Sequence, residues 1–256
     1  MTKFARYQAN GSISYGIVEG DTVKEISAPP YESYQETGKT ASLSSVKLLA
    51  PVVPRKIVAI GLNYRSHLGD RTPPKVPEPF FKTTTSLAGP GDDIVIPKSA
   101  LDEGVQIQPE AEMSLVVGKT CKNVSQSDAL SYILGVTCGN DVSARDWQRD
   151  DLQWWRAKSS DTFSPIGPFV VTGLDPDNLR LKCRVNGQEV QNQTTSDLLY
   201  DTKRIIEFVS GFVTLEPGDV IMTGTPGSPG DIKPGDTVEV ELEGVGVLTN
   251  PITAGK

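Results

Sequence analysis

Gln108-Pro109-Glu110-Ala111-Glu112-Met113-Ser114-Leu115-Val116-Val117 is the stretch on which the fold turns. Its apolar run, Met113 to Val117, predicts a buried strand. Residues two apart on a strand point to the same face, so Glu110 and Glu112 share one. Two carboxylates side by side repel each other unless a cation sits between them. A third acid, Asp141 in Gly139-Asn140-Asp141, follows the predicted strand Val136 to Cys138 at its turn-like end. An all-oxygen set of this kind suits a hard divalent cation, Mg²⁺ first and Mn²⁺ or Ca²⁺ next. Spacing by itself describes a solvated strand edge equally well, because Glu-x-Glu pairs are common.

Working outward, Ile57 to Gly61, Ile94 to Ile96, Phe169 to Thr172, Leu181 to Val185, Val220 to Met222 and Val238 to Leu242 read as further strands. Asn186-Gly187 predicts a hairpin returning through Glu189-Val190-Gln191, and Glu243-Gly244 turns into Val245 to Leu248. Ser127 to Leu134 predicts a helix, capped at Ser125 and stopped at Gly135. Thr202 to Val209 predicts an amphipathic helix with Ile205, Ile206 and Val209 on its apolar face. Toward the N-terminus, Phe4 to Tyr7, Ser12 to Val18 and Thr22 to Ile26 are short strands separated by Asn10-Gly11 and Gly20-Asp21. Residues 29–54 are polar and proline-bearing and read as a linker. The expected division is a small N-terminal β unit with its linker, 1–50, and a main domain, 51–256. Strands outnumber helices without alternating regularly with them. The class is therefore mixed α/β but β-rich, and neither a doubly wound sheet nor a TIM barrel.

Across 256 residues the formal net charge is -7, which argues against a nucleic-acid partner. No apolar run reaches the length of a membrane span. The start of the chain carries no apolar signal segment, so a cytoplasmic location is expected. Cys121, Cys138 and Cys183 show neither a zinc spacing nor a paired framework and read as buried free thiols. No nucleophile-elbow motif is present, which leaves a serine-hydrolase reading without support.

The single histidine, His67, lies in Gly61-Leu62-Asn63-Tyr64-Arg65-Ser66-His67-Leu68-Gly69-Asp70. Asn63-Tyr64-x-x-His67, Pro79-x-Phe81-Lys82, Glu110-x-Glu112, Asn140-Asp141-x-Ser143-x-Arg145-Asp146-x-Gln148, Lys158-Ser159-x-Asp161-Thr162-Phe163 and Pro217-Gly218-Asp219-Val220-Ile221-x-Thr223-Gly224-Thr225-Pro226 follow in order. Together they resemble the fumarylacetoacetate hydrolase family over about residues 50–252. The resemblance implies rolled, packed β-sheets with a few helices, a small N-terminal β domain, and often a homodimer. It implies Mg²⁺ or Mn²⁺ at Glu110, Glu112 and Asp141, and a small 2-oxo carboxylate substrate. Such a substrate can chelate a cation through its carboxylate and keto oxygens, and the cation then stabilises developing enolate charge.

By the same resemblance His67 is the general base. Asp70 stands where the family often has a glutamate that orients this histidine. Lys158 balances the acids, Gln148 meets an enolate or orients water, and Arg145 and the Gly224-Thr225 turn contact substrate. Arg145 has a second reading as a brace for the Asp141 loop. Lys82 reads as structural or charge-balancing. The His67 segment reads as a lid hinged near Gly69. Pro109 stands where the family commonly has an aromatic residue and is expected to reshape the pocket wall. Trp147, Trp154 and Trp155 read as buried packing, a pocket rim or an interface.

The leading expectation is hydrolysis of acylpyruvates such as fumarylpyruvate. The same site can serve oxaloacetate decarboxylation or isomerisation of a 2-hydroxy-dienedioate. A non-catalytic metal-and-ligand-binding protein is the third reading.

Overall fold

The strand Ala111–Val117 lies near the middle of the largest of three sheets, the smallest being a two-stranded ladder, and every one of its residues is buried. The computed structural model describes residues 1–256. Ala111–Val117 pairs antiparallel with Ile133–Asn140 on one side and with Val220–Met222 on the other. Beyond Val220–Met222 come Ile57–Gly61, paired parallel, and the edge strand Glu78–Lys82. Beyond Ile133–Asn140 comes Ser164–Val171.

The side chains of Ala111–Val117 explain its central place. Met113, Leu115 and Val117 enter the main core together with Leu181, Val238 and Val240 of the second sheet. Val116, on the opposite face, packs with Ile57, Val220 and Met222 in a smaller cluster closed by Ala50 and Val52. A strand covered on both faces reads as a near-continuous apolar run, and this one does. The second sheet runs Gln188–Thr194, Arg180–Val185, Thr237–Leu242, Gly246–Ala254, Ile94–Ile96. Thr202–Phe212 is the longest helix; Asp201 caps it by accepting the Arg204 N–H at 2.8 Å, and Ile205, Ile206 and Val209 are buried.

The architecture is β-rich with few helices, as the sequence predicts. The strands Ile57–Gly61, Ile94–Ile96 and Val220–Met222 fall at the predicted bounds. Two segments differ. The predicted helix from Ser127 to Leu134 is only a 3₁₀ turn, Ala129–Tyr132, after which Ile133 begins a strand. Pairing with Ala111–Val117 outweighs local helix pattern there. Gly135 is not a helix stop; a Cβ at that position would lie 2.3 Å from the Val171 carbonyl oxygen, so the residue permits two strands to approach.

The region 29–54 is not merely a linker. Glu36–Ser42 forms an edge strand and Lys47–Leu49 pairs with Lys3–Ala9. Glu36–Ser42 is exposed along nearly its whole length, so it carries no hydrophobic alternation to announce it. The N-terminal strands do not stand apart either. Lys3 and Phe4 pair with Val171 and Val170, and the larger sheet continues through Lys3–Ala9 to Ser12–Glu19, Thr22–Ile26 and Glu36–Ser42. The three cysteines are buried and unpaired. No helix is long and apolar enough to cross a membrane.

Candidate functional site

Three strand ends converge at one edge of the larger sheet. Glu110 precedes Ala111–Val117, Asp141 follows Ile133–Asn140, and Gly224 and Thr225 follow Val220–Met222. The ends are joined by the main chain. Asp141 N–H donates to the Glu110 carbonyl at 2.9 Å, and the Glu110 N–H donates to Asn140 Oδ1 at 2.9 Å. Pro109 has no N–H of its own to satisfy at this crowded point. One carboxylate oxygen from each of Glu110, Glu112 and Asp141 lies within 4.8 Å of the others, and all three residues are buried.

Three cationic side chains answer these acids, but unevenly. Lys158, on the short helix Trp155–Ser159, donates to Glu110 Oε2 at 2.5 Å and to Asp141 Oδ2 at 2.8 Å. Lys82, at the end of Glu78–Lys82, donates to Asp141 Oδ1 and to the Phe163 carbonyl. Arg145 donates from Nη2 to Glu110 Oε1 at 2.5 Å. Glu112 receives only the Gly224 N–H, at 2.6 Å.

The titration behaviour follows from this asymmetry. Burial alone would raise Glu110, but Lys158, Arg145 and His67 outweigh it and hold the carboxyl far below its ordinary value. Burial, with Asp141 and Glu110 as like charges, pushes Glu112 well above the usual carboxylate range. Burial opposes the charge on Lys158, yet Asp141 and Glu110 leave it raised. Lys82 is lowered, because burial there exceeds the pull of Asp141.

Glu112 is thus a buried acid with no cationic partner, beside two other carboxylates. That donor set fits a hard divalent cation, which would supply the missing positive charge. Gly224 holds Glu112 in place and does so at φ 109, where a Cβ would lie 2.7 Å from Asn63 Cβ. The Thr225 hydroxyl donates to the Ala111 carbonyl at 2.9 Å and accepts from Gln191 at 2.8 Å, so it is occupied within the protein. Arg145 also donates to Gln108 Oε1 and to Gln148 Oε1, at 2.7 and 2.8 Å. It braces Glu110 as well as the loop, and it turns the NH₂ group of Gln148 away from itself.

Above the acids lies a cavity of about 540 Å³ whose lining includes Leu62, His67, Phe80, Gln148, Trp154 and Lys158. His67 sits on a single helical turn, Arg65–Leu68. Its Nδ1 is 2.5 Å from the Gly227 carbonyl oxygen, and its Nε2 is 3.6 Å from Glu110 Oε1. Nδ1 against a carbonyl must carry the proton, which leaves Nε2 as the basic nitrogen.

Asp70 is not brought to His67. The turn ends at Leu68, Gly69 diverts the chain at φ 57 and ψ -128, and Asp70 is exposed without a hydrogen bond to the imidazole. The orienting contact between Asp70 and His67 that the resemblance implies is not formed in this structure. The Gly227 carbonyl, in the turn after Thr225, is the orienting group instead. A main-chain oxygen so distant in sequence leaves no residue-type signal. Of the tryptophans, Trp147 is buried and donates to Glu103 at 2.7 Å; Trp154 lines the cavity and packs edge-on with Phe80; Trp155 is exposed.

Known proteins resemble the chain over nearly its whole length. The model described as fumarylacetoacetate (FAA) hydrolase C-terminal matches residues 56–253. A second, described as Rv2993c-like, N-terminal, matches residues 2–51. The chain is 41% identical over 244 residues to oxaloacetate tautomerase fahd2, mitochondrial, of Xenopus laevis, covering 86% of this chain and 75% of the relative. The structure of 5-carboxymethyl-2-hydroxymuconate delta-isomerase from Mycobacterium smegmatis superposes with a TM-score of 0.92 at 42% identity, over 99% of this chain and 100% of that one. Maleylpyruvate hydrolase from Sphingobium sp. SYK-6, in complex with manganese (II) ion and pyruvate, superposes with a TM-score of 0.83 at 28% identity over 100% of both chains.

Proposed function

The chain belongs to the fumarylacetoacetate hydrolase family, and on that premise we propose that it is a divalent-metal-dependent enzyme that moves a proton on 2-oxo dicarboxylates, interconverting keto and enol forms. Oxaloacetate is the representative substrate. The observation that carries this reading is the setting of one imidazole: His67 is fixed through Nδ1 by Gly227, its Nε2 lies 3.6 Å from Glu110 Oε1 at the cavity wall, and Asp70 is exposed with no bond to the ring. A lone imidazole of fixed tautomer suits reversible proton transfer at carbon next to a carbonyl.

Glu110, Glu112 and Asp141 are the residues that would hold Mg²⁺ or Mn²⁺. When bound, the cation supplies Lewis acidity toward the carboxylate and keto oxygens of the substrate. His67 Nε2 takes the proton from the carbon beside the keto group and returns it. The Gln148 NH₂ group, freed by the bond from Arg145 to its carbonyl, donates to the enolate oxygen. Lys158 stays charged beside Glu110 and Asp141 and offsets the repulsion those acids would exert on an anionic substrate. Leu62, Phe80 and Trp154 give the cavity its apolar wall.

Hydrolysis of an acylpyruvate is the second reading, favoured by the likeness to a maleylpyruvate hydrolase. It requires His67 to activate a water molecule without help from Asp70. The deciding experiment supplies enol oxaloacetate, and separately fumarylpyruvate, with Mg²⁺, with Mn²⁺ or with EDTA. Ultraviolet absorbance follows the enol, and mass spectrometry identifies products. Accelerated loss of the enol at unchanged mass, abolished by EDTA, is expected. Pyruvate and fumarate released from fumarylpyruvate, with no effect on enol decay, would transfer the assignment to a hydrolase. Carbon dioxide from oxaloacetate would make it a decarboxylase.

A further inference from the structure

Five basic side chains line the cavity: His67, Arg71, Arg145, Arg149 and Lys158. Four already have partners. Lys158 bridges Glu110 and Asp141, and Arg145 is spent on Glu110, Gln108 and Gln148. His67 is held by Gly227. Arg149 donates to Asp150 at 2.7 and 2.9 Å and to Asp146 at 3.1 Å. Arg71 alone makes no side-chain hydrogen bond and no ion pair; its only bond is from the main-chain N–H to the Leu68 carbonyl, 3.1 Å long. It stands on the exposed rim, four residues after His67, on the chain that Gly69 has just turned.

We infer that Arg71 is the docking group for the distal carboxylate of the substrate, and hence the residue that selects 2-oxo dicarboxylates over 2-oxo monocarboxylates. The inference rests on the reading of the site given above. Its chemistry is a matter of charge. Lys82, Lys158 and Arg145 serve Glu110 and Asp141 and leave Glu112 without a cationic partner; a divalent cation at Glu112 would give the cluster a net excess of positive charge, which one carboxylate and an enolate oxygen of the substrate would meet. A second carboxylate is left over and needs its own cation. A guanidinium on the rim offers two parallel N–H donors to it, and no acid within the protein competes for them. Because Arg71 shares its segment with His67, capture of that carboxylate also draws the base toward the reacting carbon.

The test is calorimetric titration of the Mg²⁺-loaded protein with oxaloacetate and with pyruvate, for the wild type, Arg71→Leu and Arg71→Lys. Arg71→Leu is expected to weaken oxaloacetate binding by about 10- to 100-fold. The pyruvate affinity should move by less than about twofold, and Arg71→Lys should restore only part of the loss. Equal weakening of both ligands, or no weakening of oxaloacetate, would overturn the inference. Failure of the tautomerase reading is a separate result: oxaloacetate then binds in an Arg71-dependent way while its enol decays no faster than in buffer.

Discussion

The acid cluster and the His67 segment face the same cavity and are built on opposite principles. Glu110, Glu112 and Asp141 sit at the ends of buried strands, and each is fixed by main-chain or charged partners. The His67 segment is one helical turn on the rim, tied to the Gly224-Thr225-Pro226-Gly227 loop by two bonds: His67 Nδ1 to the Gly227 carbonyl, and the Gly227 N–H to Ser66 Oγ at 3.0 Å. What would hold a cation is buried and braced; what would handle the proton is carried on a short attachment. The division places precise geometry where charge is concentrated, and puts the lightly attached part where a substrate would enter.

Substitutions in the two regions should therefore differ in kind. The largest effect is expected from Asp141→Ala, which takes from Lys82 its only acidic partner and from Lys158 one of two. A buried ammonium left without its counter-charge costs about 3–5 kcal/mol, so the urea midpoint should fall steeply as activity is lost. An unchanged midpoint would show that Lys82 gives up its charge before the fold gives way.

His67→Ala should lower turnover by about 10²- to 10⁴-fold and leave the metal-dependent rise in melting temperature intact. Loss of that rise together with activity would erase the proposed separation between the two regions.

Glu112→Gln is a subtler probe of the rigid half. The amide still accepts the Gly224 N–H while one of three mutually repelling charges disappears. The metal-free protein should be as stable as before or more so. Stabilisation by Mg²⁺, about 2.7 kcal/mol at a hundredfold excess over Kd, should be absent. If Mg²⁺ still protects the variant fully, Glu112 is not a ligand. The smallest effect is expected from Asp70→Asn, within about twofold in turnover, as for an exposed charge making no specific contact. A loss comparable to that of His67→Ala would mean that Asp70 reaches the imidazole once substrate is bound.

The rigid half was the more legible in sequence. Strand periodicity puts Glu110 and Glu112 on one face, and Ala111–Val117 announces itself as an apolar run because it is covered on both sides. The convergence of Lys82 and Arg145 on those acids depends on contacts 35 to 59 residues apart in the chain, and no local pattern encodes them. The His67 segment is less legible. Family resemblance pairs His67 with Asp70, but a glycine outside the helical region diverts the chain between them, and a main-chain carbonyl 160 positions away does the orienting. Elsewhere, Glu36–Ser42 escaped notice because an exposed edge strand has no apolar face to display, and Ile133–Asn140 was obscured where its first residues fit either period.

The ladder between Lys3–Ala9 and Ser164–Val171 has one more consequence. Two family models divide the chain between residues 51 and 56, so heredity treats it as two modules, yet the hydrogen bonds of the larger sheet run across that seam. Ser164–Val171 pairs in turn with Ile133–Asn140, the strand that ends at Asp141. Removing the first module would take Phe4 and Lys3 from Val170 and Val171 and bare that end of an apolar strand two places from the acid cluster, where another chain could pair. For this molecule the unit of ancestry is smaller than the unit of solubility, and the N-terminal strands act as a seal on the sheet that bears the chemistry.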